Sequence, residues 1–276
     1  KSDDFAPYLF KTEDYGKTWT KITNGINAIH FTRALRADKR RSGLLYCGTE
    51  YGMYISYDDG ANWKPFQLNL PMVPITDLTI KENDLIVATQ GRAFWVLDDL
   101  TPVQQKDISI LDKKLFAFSV NDVYRYDGFQ ISNPKNAGMN PPNGSVINYY
   151  VKNISDSAKV SIDILDKNKK LIKSFSTKAK EKENMIDVSA GMNQFVWNML
   201  YPPAEKVDGQ IIWHGTVPGP KAAPGQYFYK IKVDKDSVEG SFHIKANPVY
   251  NLSQQDYEEQ FNFLIAVRDK FNDIQK

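Results

Sequence analysis

A short motif recurs in the first third of the chain and constrains its fold more than any other feature. Thr12 to Trp19 (TEDYGKTW) and Ser56 to Trp63 (SYDDGANW) share the pattern Ser/Thr-x-Asp-x-Gly-x-x-Trp, 44 residues apart. A third copy keeps Asp98 but has Leu100 at the glycine position and no tryptophan after it. A period of about 40 to 44 residues with four short strands per unit is typical of a propeller blade. The repeat therefore predicts consecutive blades over residues 1–103.

The motif itself, an Asp-box, is explained by local turn chemistry. An Asp side chain accepts backbone N–H bonds in a tight turn, and Gly permits a positive φ there. The Trp opens the next strand and packs beneath the turn. We therefore predict that Asp14, Asp58 and Asp98 hold turns and carry no catalysis. The same structural role is predicted for the other motif residues: Gly16, Gly60, Trp19 and Trp63.

Alternation of apolar and polar residues places the strands of these blades. One blade is predicted as strands over residues 31–36, 44–48, 53–56 and 63–66, and the next over 75–80, 85–88 and 93–97. Antiparallel strands put the Asp-box turns on one rim and the turns between second and third strands on the opposite rim.

The opposite rim is the predicted binding surface, because propellers bind ligands at one mouth of the central channel. Arg92 is expected there either to hold a ligand carboxylate or to pair with Glu50 across blades. Trp213, in a Gly/Pro-rich loop, is predicted to be an exposed contact. The candidate rim residues, with the preceding blade included, are Asp3, Asp4, Phe5, Glu50, Tyr51, Gln90 and Arg92.

The rest of the chain has a different pattern. Residues 104–117 are predicted as a linker, and residues 118–249 contain six or more strands with turn signals and no interleaved helix, which favours an immunoglobulin-like β-sandwich. Ser253 and Asp256 are spaced for a capping box, and Tyr257, Phe261, Leu264, Arg268 and Phe271 recur at helical spacing. The fold class predicted is all-β: a partial β-propeller of about two and a half blades, a sandwich, and a C-terminal α-helix over residues 250–276.

Composition excludes several classes of protein. The 35 Lys and Arg balance 33 Asp and Glu, which argues against nucleic-acid binding by phosphate neutralisation. No apolar run approaches 18 residues, so no membrane span is predicted. Cys47 is the only cysteine, which excludes an intrachain disulfide. The three histidines lack metal-ligand spacing, and no phosphate-binding loop occurs, so we expect neither a metal nor a cofactor.

Several segments resemble the large bacterial BNR-repeat proteins with sortilin/Vps10-like propellers. In the blades these are residues 3–10, 44–56 and 84–99; in the second part they are 138–144, 191–198 and 223–227, which resemble the FlgD-like immunoglobulin domain of the same proteins. Gln90 stands where many members have His, so a role that depends on that His is absent. Family members have more blades, and the chain starts at Lys1 without a leader. The resemblance therefore implies a segment of a longer protein that is secreted, periplasmic or outer-membrane associated.

The family is often labelled glycosyl hydrolase, but that label rests on Asp-boxes, which are structural. The resemblance is therefore specific for the family and not for an activity. Glycoside hydrolysis needs two carboxylates about 5 to 9.5 Å apart, and Asp3, Asp4 and Glu50 are the only rim candidates. We therefore expect a protein- or glycan-binding module without catalytic residues, whose partners are the missing blades of the same protein and a polypeptide or glycan ligand. One alternative is a glycoside hydrolase whose catalytic carboxylates lie mainly on the missing blades. Another is a structural subunit of an envelope complex.

Overall fold

The strands seen in the structure are mostly short, and they form several separate sheets. A computed structural model of the chain describes residues 3–106, 108–126, 142–155, 157–205 and 218–275. It is mostly β, with 38% strand and 14% helix, and it includes a sheet curled into a half-barrel. The prediction of a β-rich chain with a C-terminal helix is confirmed at this level. The chain divides into two compact units, residues 1–106 and 107–276.

The first unit contains three sheets in chain order. They are β1–β2, the antiparallel β3–β4–β5–β6 and the antiparallel β7–β8–β9. Their strands are β1 (Phe10–Lys11), β2 (Thr20–Lys21), β3 (Thr32–Ala37), β4 (Leu45–Thr49), β5 (Gly52–Ser56), β6 (Lys64–Pro65), β7 (Ile75–Lys81), β8 (Asp84–Thr89) and β9 (Phe94–Leu97). The short helix α1 (Thr101–Gln105) follows.

The four-stranded sheet β3–β6 is buried on both faces. One face presents Cys47, Tyr54 and Trp63 to a core shared with residues of the β1–β2 segment. The other face presents Tyr46 and Ile55 to a core shared with β7 and β8. Side chains of a strand alternate between the two faces of its sheet, so the near-continuous apolar runs of β4 and β5 reflect burial on both sides.

The second unit has two sheets that contribute to one hydrophobic core. A three-stranded sheet has the order β10–β12–β15, and a five-stranded sheet has the order β11–β17–β16–β13–β14, in which only the pair β11–β17 is parallel. The elements are α2 (Ile108–Asp112), β10 (Leu115–Ala117), β11 (Val123–Tyr124), β12 (Ser145–Val151), β13 (Val160–Leu165), β14 (Leu171–Ser176), β15 (Gly191–Trp197), β16 (Gly225–Val233), β17 (Asp236–Lys245) and α3 (Gln254–Gln275). The residues predicted as a linker thus include α2 and β10, and β10 pairs with β12.

The C-terminal helix α3 begins at the predicted cap. The Asp256 N–H donates to Ser253 Oγ at 3.2 Å, and the Ser253 N–H donates to Asp256 Oδ2 at 2.7 Å, which together form a capping box. Tyr257 is buried, and the Phe261 ring lies 4.7 Å from the Tyr201 ring. These contacts attach the helix to the second unit. No described helix is both long enough and apolar enough to cross a membrane.

Candidate functional site

The first two Asp-box turns have nearly the same hydrogen bonds. Asp14 Oδ1 accepts from the Thr18 N–H at 2.8 Å, and Asp58 Oδ1 accepts from the Asn62 N–H at 2.8 Å. In each turn the hydroxyl two residues earlier donates to the same carboxylate, from Thr12 at 2.9 Å and from Ser56 at 2.8 Å. Both carboxylates therefore accept hydrogen bonds from within their own turns, which is the structural role that the sequence predicts.

The glycines of the two motifs also have matching backbone angles. Gly16 has φ +90° and Gly60 has φ +87°, in the left-handed region that favours glycine. The tryptophans differ in burial, because Trp63 is 3% exposed whereas Trp19 is 60% exposed. The Trp63 indole donates to the Ile22 carbonyl at 2.8 Å, and Trp19 donates to Gly16 in its own turn.

The third copy is built differently from the prediction for Asp98. It is Asp99 whose Oδ1 accepts from the Thr101 N–H and from Asn83 Nδ2, both at 3.0 Å. Burial, followed by the neighbouring carboxylates of Asp84 and Asp99, raises the pKa of Asp98. The shift follows from strand pairing: Gly48 pairs with Met53, whereas Ala88 pairs with Phe94, so the β8–β9 turn is one residue longer and Asp99 takes the position of Asp58.

The turns predicted to share a rim do lie at the same end of their sheets. The Gly52 N–H donates to the Val73 carbonyl at 3.1 Å, and the Gln90 N–H donates to the next carbonyl, Pro74, at 2.9 Å. The single loop before β7 therefore joins the β4–β5 turn, which carries Glu50 and Tyr51, to the β8–β9 turn.

Glu50 pairs with Arg33, not with Arg92. Arg33 Nε donates to Glu50 Oε2 at 2.6 Å, and the Glu50 N–H donates to the Phe31 carbonyl at 3.1 Å. The Arg33 guanidinium also lies 5.1 Å from the centre of the Phe31 ring. Both charged side chains keep part of their surface exposed, 31% for Arg33 and 24% for Glu50. A ligand carboxylate or hydroxyl at this rim would therefore meet a preorganised ion pair.

Asp4 is held in a second polar contact at the same rim. The Tyr8 hydroxyl donates to Asp4 Oδ2, and the Ala6 N–H donates to Asp4 Oδ1 at 2.9 Å. These two bonds, the Tyr8 bond first, lower the pKa of Asp4 below its ordinary value. The Tyr8 N–H and carbonyl both bond to Thr32 Oγ1, which attaches this segment to the start of β3.

Aromatic rings surround these polar pairs. The Phe5 ring lies 6.2 Å from the Phe31 ring, and the His30 ring lies 4.9 Å from the Tyr51 ring. Tyr54 shares a hydrogen bond of 2.9 Å with His30 Nδ1. Phe5 and Tyr51 are about half exposed. We refer to the connected set Asp4, Phe5, Tyr8, His30, Phe31, Arg33, Glu50 and Tyr51 as the rim cluster.

The remaining candidates are not part of the rim cluster. Asp3 is exposed and has φ +46°, and Arg92 is exposed in the β8–β9 turn, where its carbonyl accepts from the Trp95 indole at 2.9 Å. Gln90 joins the rim through its backbone N–H, which donates to the Pro74 carbonyl. Trp213 lies outside the described residues. In the described ranges, no group of three or more His, Cys, Asp or Glu is arranged to hold a metal ion.

Four members of the rim cluster are not among the residues predicted for the rim: Tyr8, His30, Phe31 and Arg33. The last three lie at or beside a bulge between Thr32 and Ala34, where the pairing of β3 with β4 shifts by one residue and which the sequence does not mark. Bulges occur beside functional sites because they redirect side chains. The same irregularity recurs between Ile75 and Asp77, at the start of β7.

The pH dependence of the first Asp-box turn offers a test of its structural role. Hydrogen bonds from Thr18, backbone first, hold the pKa of Asp14 at about 2, below the ordinary value of 3.8. A lowered folded-state pKa stabilises the fold above the ordinary pKa, and this contribution is lost as the pH falls through the folded value. We expect Asp14→Asn to be less stable than wild type at neutral pH in urea unfolding, with a difference that shrinks between about pH 4 and pH 2. The same difference for Glu82→Gln, an exposed turn carboxylate, should stay near zero; a constant difference for Asp14→Asn would contradict the assignment.

No protein-family model matches the chain, and no curated protein matches it. Among solved structures, the extracellular domain of BT4673 from B. thetaiotaomicron, described as a hybrid two-component system, is 10% identical with a TM-score of 0.29 and covers 89% of this chain. CopC from Methylosinus trichosporium OB3b is 18% identical with a TM-score of 0.21; the match covers 41% of this chain and 82% of CopC. This chain spans only 29% of the BT4673 domain.

Proposed function

We propose that this chain is a binding module of a secreted or cell-envelope protein, related to the BNR-repeat propeller proteins of the sortilin/Vps10 type. Each sheet of the first unit is then a propeller blade, and the second unit is the immunoglobulin-like, FlgD-like domain. Two observations support this assignment: the matching bonds of the two Asp-box turns, and the burial of the four-stranded sheet on both faces.

The rim cluster is the proposed ligand site, and its ligand is a polypeptide or a glycan. The observation that carries the proposal is the Arg33–Glu50 ion pair flanked by half-exposed aromatic rings of Phe5 and Tyr51. Aromatic residues and Arg dominate the binding energy at protein interfaces, because binding buries their large surfaces at low entropic cost. The ion pair would orient the polar groups of the ligand.

Binding is favoured over glycoside hydrolysis because both rim carboxylates already have partners. A hydrolase needs a general acid whose pKa is raised, as burial in an apolar site achieves. Asp4 has a lowered pKa and accepts two hydrogen bonds, and Glu50 is paired with Arg33. The lowered pKa of Asp4 does not favour a protonated acid at neutral pH, and Glu50 is already engaged by a guanidinium.

The test is a binding screen of the chain against glycan and peptide libraries, followed by calorimetry on the best ligand. We expect Tyr51→Ala and Glu50→Gln each to weaken binding at least about tenfold, as hot-spot residues do. The control is Leu171→Ala, which removes an exposed apolar side chain of the second unit and should change little.

Two outcomes would contradict this function. One is equal affinity of wild type and both rim variants for every ligand found. The other is release of sugar from a polysaccharide by the wild-type chain that Asp4→Asn and Glu50→Gln abolish, because that result would make the carboxylates catalytic.

A further inference from the structure

Three large aliphatic side chains are exposed on the loops that border the β4–β5 turn. Ile29 is 61% exposed, Leu68 is 67% exposed and Met72 is 64% exposed. Ile29 lies in the loop between β2 and β3, and the other two lie in the loop between β6 and β7. Each loop joins two sheets of this chain, so the sheets on both of its sides are in place. We refer to these three residues as the apolar patch.

An asparagine turn holds Ile29 next to the rim cluster. The Ile29 N–H donates to Asn27 Oδ1 at 3.2 Å, and the His30 N–H donates to the Asn27 carbonyl at 3.0 Å. The Asn27 N–H donates to the hydroxyl of the buried Tyr54 at 3.4 Å, which attaches this turn to β5. His30 follows Ile29 directly, and its ring lies 4.9 Å from the Tyr51 ring. The turn therefore places an exposed isoleucine beside Tyr51.

Met72 borders the same β4–β5 turn through the loop before β7. It precedes Val73, whose carbonyl accepts from the Gly52 N–H at 3.1 Å. Gly52 in turn follows Tyr51 in the chain. Met72 is therefore one residue away from a backbone hydrogen bond to the turn that carries Tyr51.

Leu68 is held in a backbone conformation that leucine rarely adopts. Its φ is +46°, in the left-handed region where bulky residues are outliers. The preceding Gln67 fixes the loop, because its Nε2 donates to the Leu70 and Pro71 carbonyls at 2.8 and 2.9 Å. Gln67 Oε1 also accepts from the Met53 N–H at 3.2 Å, which attaches the loop to β5. Strained positions of this kind occur at ligand-binding sites, where the surrounding structure fixes them, so the loop presents Leu68 in a preorganised position.

We propose that the ligand of the rim site is a polypeptide that packs large apolar side chains against the apolar patch. The inference rests on the proposed function, because it names the class of ligand for the rim cluster. Exposed apolar side chains that lie together mark protein interaction surfaces. Aromatic residues, Met and Arg are enriched at such interfaces, and the patch with the rim cluster supplies all three: Tyr51, Met72 and Arg33.

The apolar patch favours a polypeptide over a glycan. Ile29, Leu68 and Met72 offer no strong hydrogen-bonding group, so a sugar hydroxyl placed against them would lose the hydrogen bonds that it makes with water. A polypeptide can bury its apolar side chains on the patch while its backbone groups bond to the Arg33–Glu50 pair.

The test is a selection of displayed random peptides on the full chain, followed by calorimetry with the best binder. We expect the selected peptides to be rich in large apolar residues. The double variant Leu68→Asn with Met72→Gln should weaken their binding at least about tenfold, because it keeps the size of both side chains and removes their apolar surface. Asn tolerates the left-handed backbone at residue 68, so this variant is expected to fold. Leu171→Asn changes an exposed leucine of the second unit and should bind like wild type.

The rim variants separate this inference from the proposed function. Peptides that lose affinity in Tyr51→Ala and Glu50→Gln but bind the double variant like wild type would overturn the role of the apolar patch and leave the rim site in place. Glycans that bind through Tyr51 and Glu50, with no peptide selected, would do the same. Binding of neither class would overturn both. If the double variant does not fold by circular dichroism, Ile29→Asn in the other loop replaces it, and unchanged affinity there overturns the inference.

Discussion

Replacing Trp63 by Ala is expected to lower the free energy of unfolding of the first unit by about 3–5 kcal/mol. The indole is 3% exposed, and its N–H donates to the Ile22 carbonyl at 2.8 Å, so the change removes a large packed side chain and leaves this carbonyl without its donor. Urea unfolding followed by far-UV circular dichroism measures the loss. Hydrogen exchange of the amides in β4 and β5 should show that the loss lies in this sheet.

Trp19 provides the matched control, because it occupies the same position of the same motif. It is 60% exposed and its indole N–H bonds to Gly16 in its own turn, so Trp19→Ala should cost less than about 1 kcal/mol. Equal costs at Trp63 and Trp19 would contradict the view that packing of one sheet against the next stabilises the repeat.

The contrast between the two tryptophans also shows what the repeat predicts. The strands predicted over residues 44–48 and 53–56 correspond within one residue to Leu45–Thr49 and Gly52–Ser56. The Asp-box locates them because its turn chemistry is local and leaves few alternatives for the flanking strands. Burial of each tryptophan depends on the neighbouring sheet, which the motif does not encode.

The rim cluster shows where local reasoning stops. Glu50 was identified because it lies in a turn, but its partner Arg33 is 17 residues away, across a bulge that the sequence does not mark. Arg92 lies in an equivalent turn, so the sequence predicts for it either this pairing or a contact with a ligand carboxylate. Partner choice among charged residues depends on where side chains point in three dimensions, and a bulge of one residue changes that direction.

The third motif copy shows a related effect. Asp98 aligns with the turn aspartates in sequence, but Asp99 accepts the turn hydrogen bonds, because the β8–β9 turn is one residue longer than the β4–β5 turn. Without glycine the backbone at residue 100 adopts a right-handed helical conformation, φ −68°, and leads into α1. An alignment transfers residue identity, whereas the hydrogen-bonding role follows the backbone.

In the second unit, we expect the largest loss of stability from the replacement of one buried tryptophan. Trp197→Ala should lower the free energy of unfolding of this unit by about 3–5 kcal/mol, because the side chain is fully buried between the two sheets. Its ring lies 5.5 Å from the Tyr227 ring and 5.9 Å from the Phe242 ring, both on the other sheet, and its N–H donates to the Leu200 carbonyl at 3.2 Å.

The measurement for Trp197 is urea unfolding by far-UV circular dichroism, with hydrogen exchange of β12 and β16 to assign the loss to this unit. Met192 on the same strand β15 is the control, because it is half exposed and its replacement by Ala should cost less than about 1 kcal/mol. The expected loss requires the two sheets to share one core around Trp197. Faster exchange in β12 with β16 unchanged would contradict that requirement, since it would mean that the three-stranded sheet unfolds without its partner.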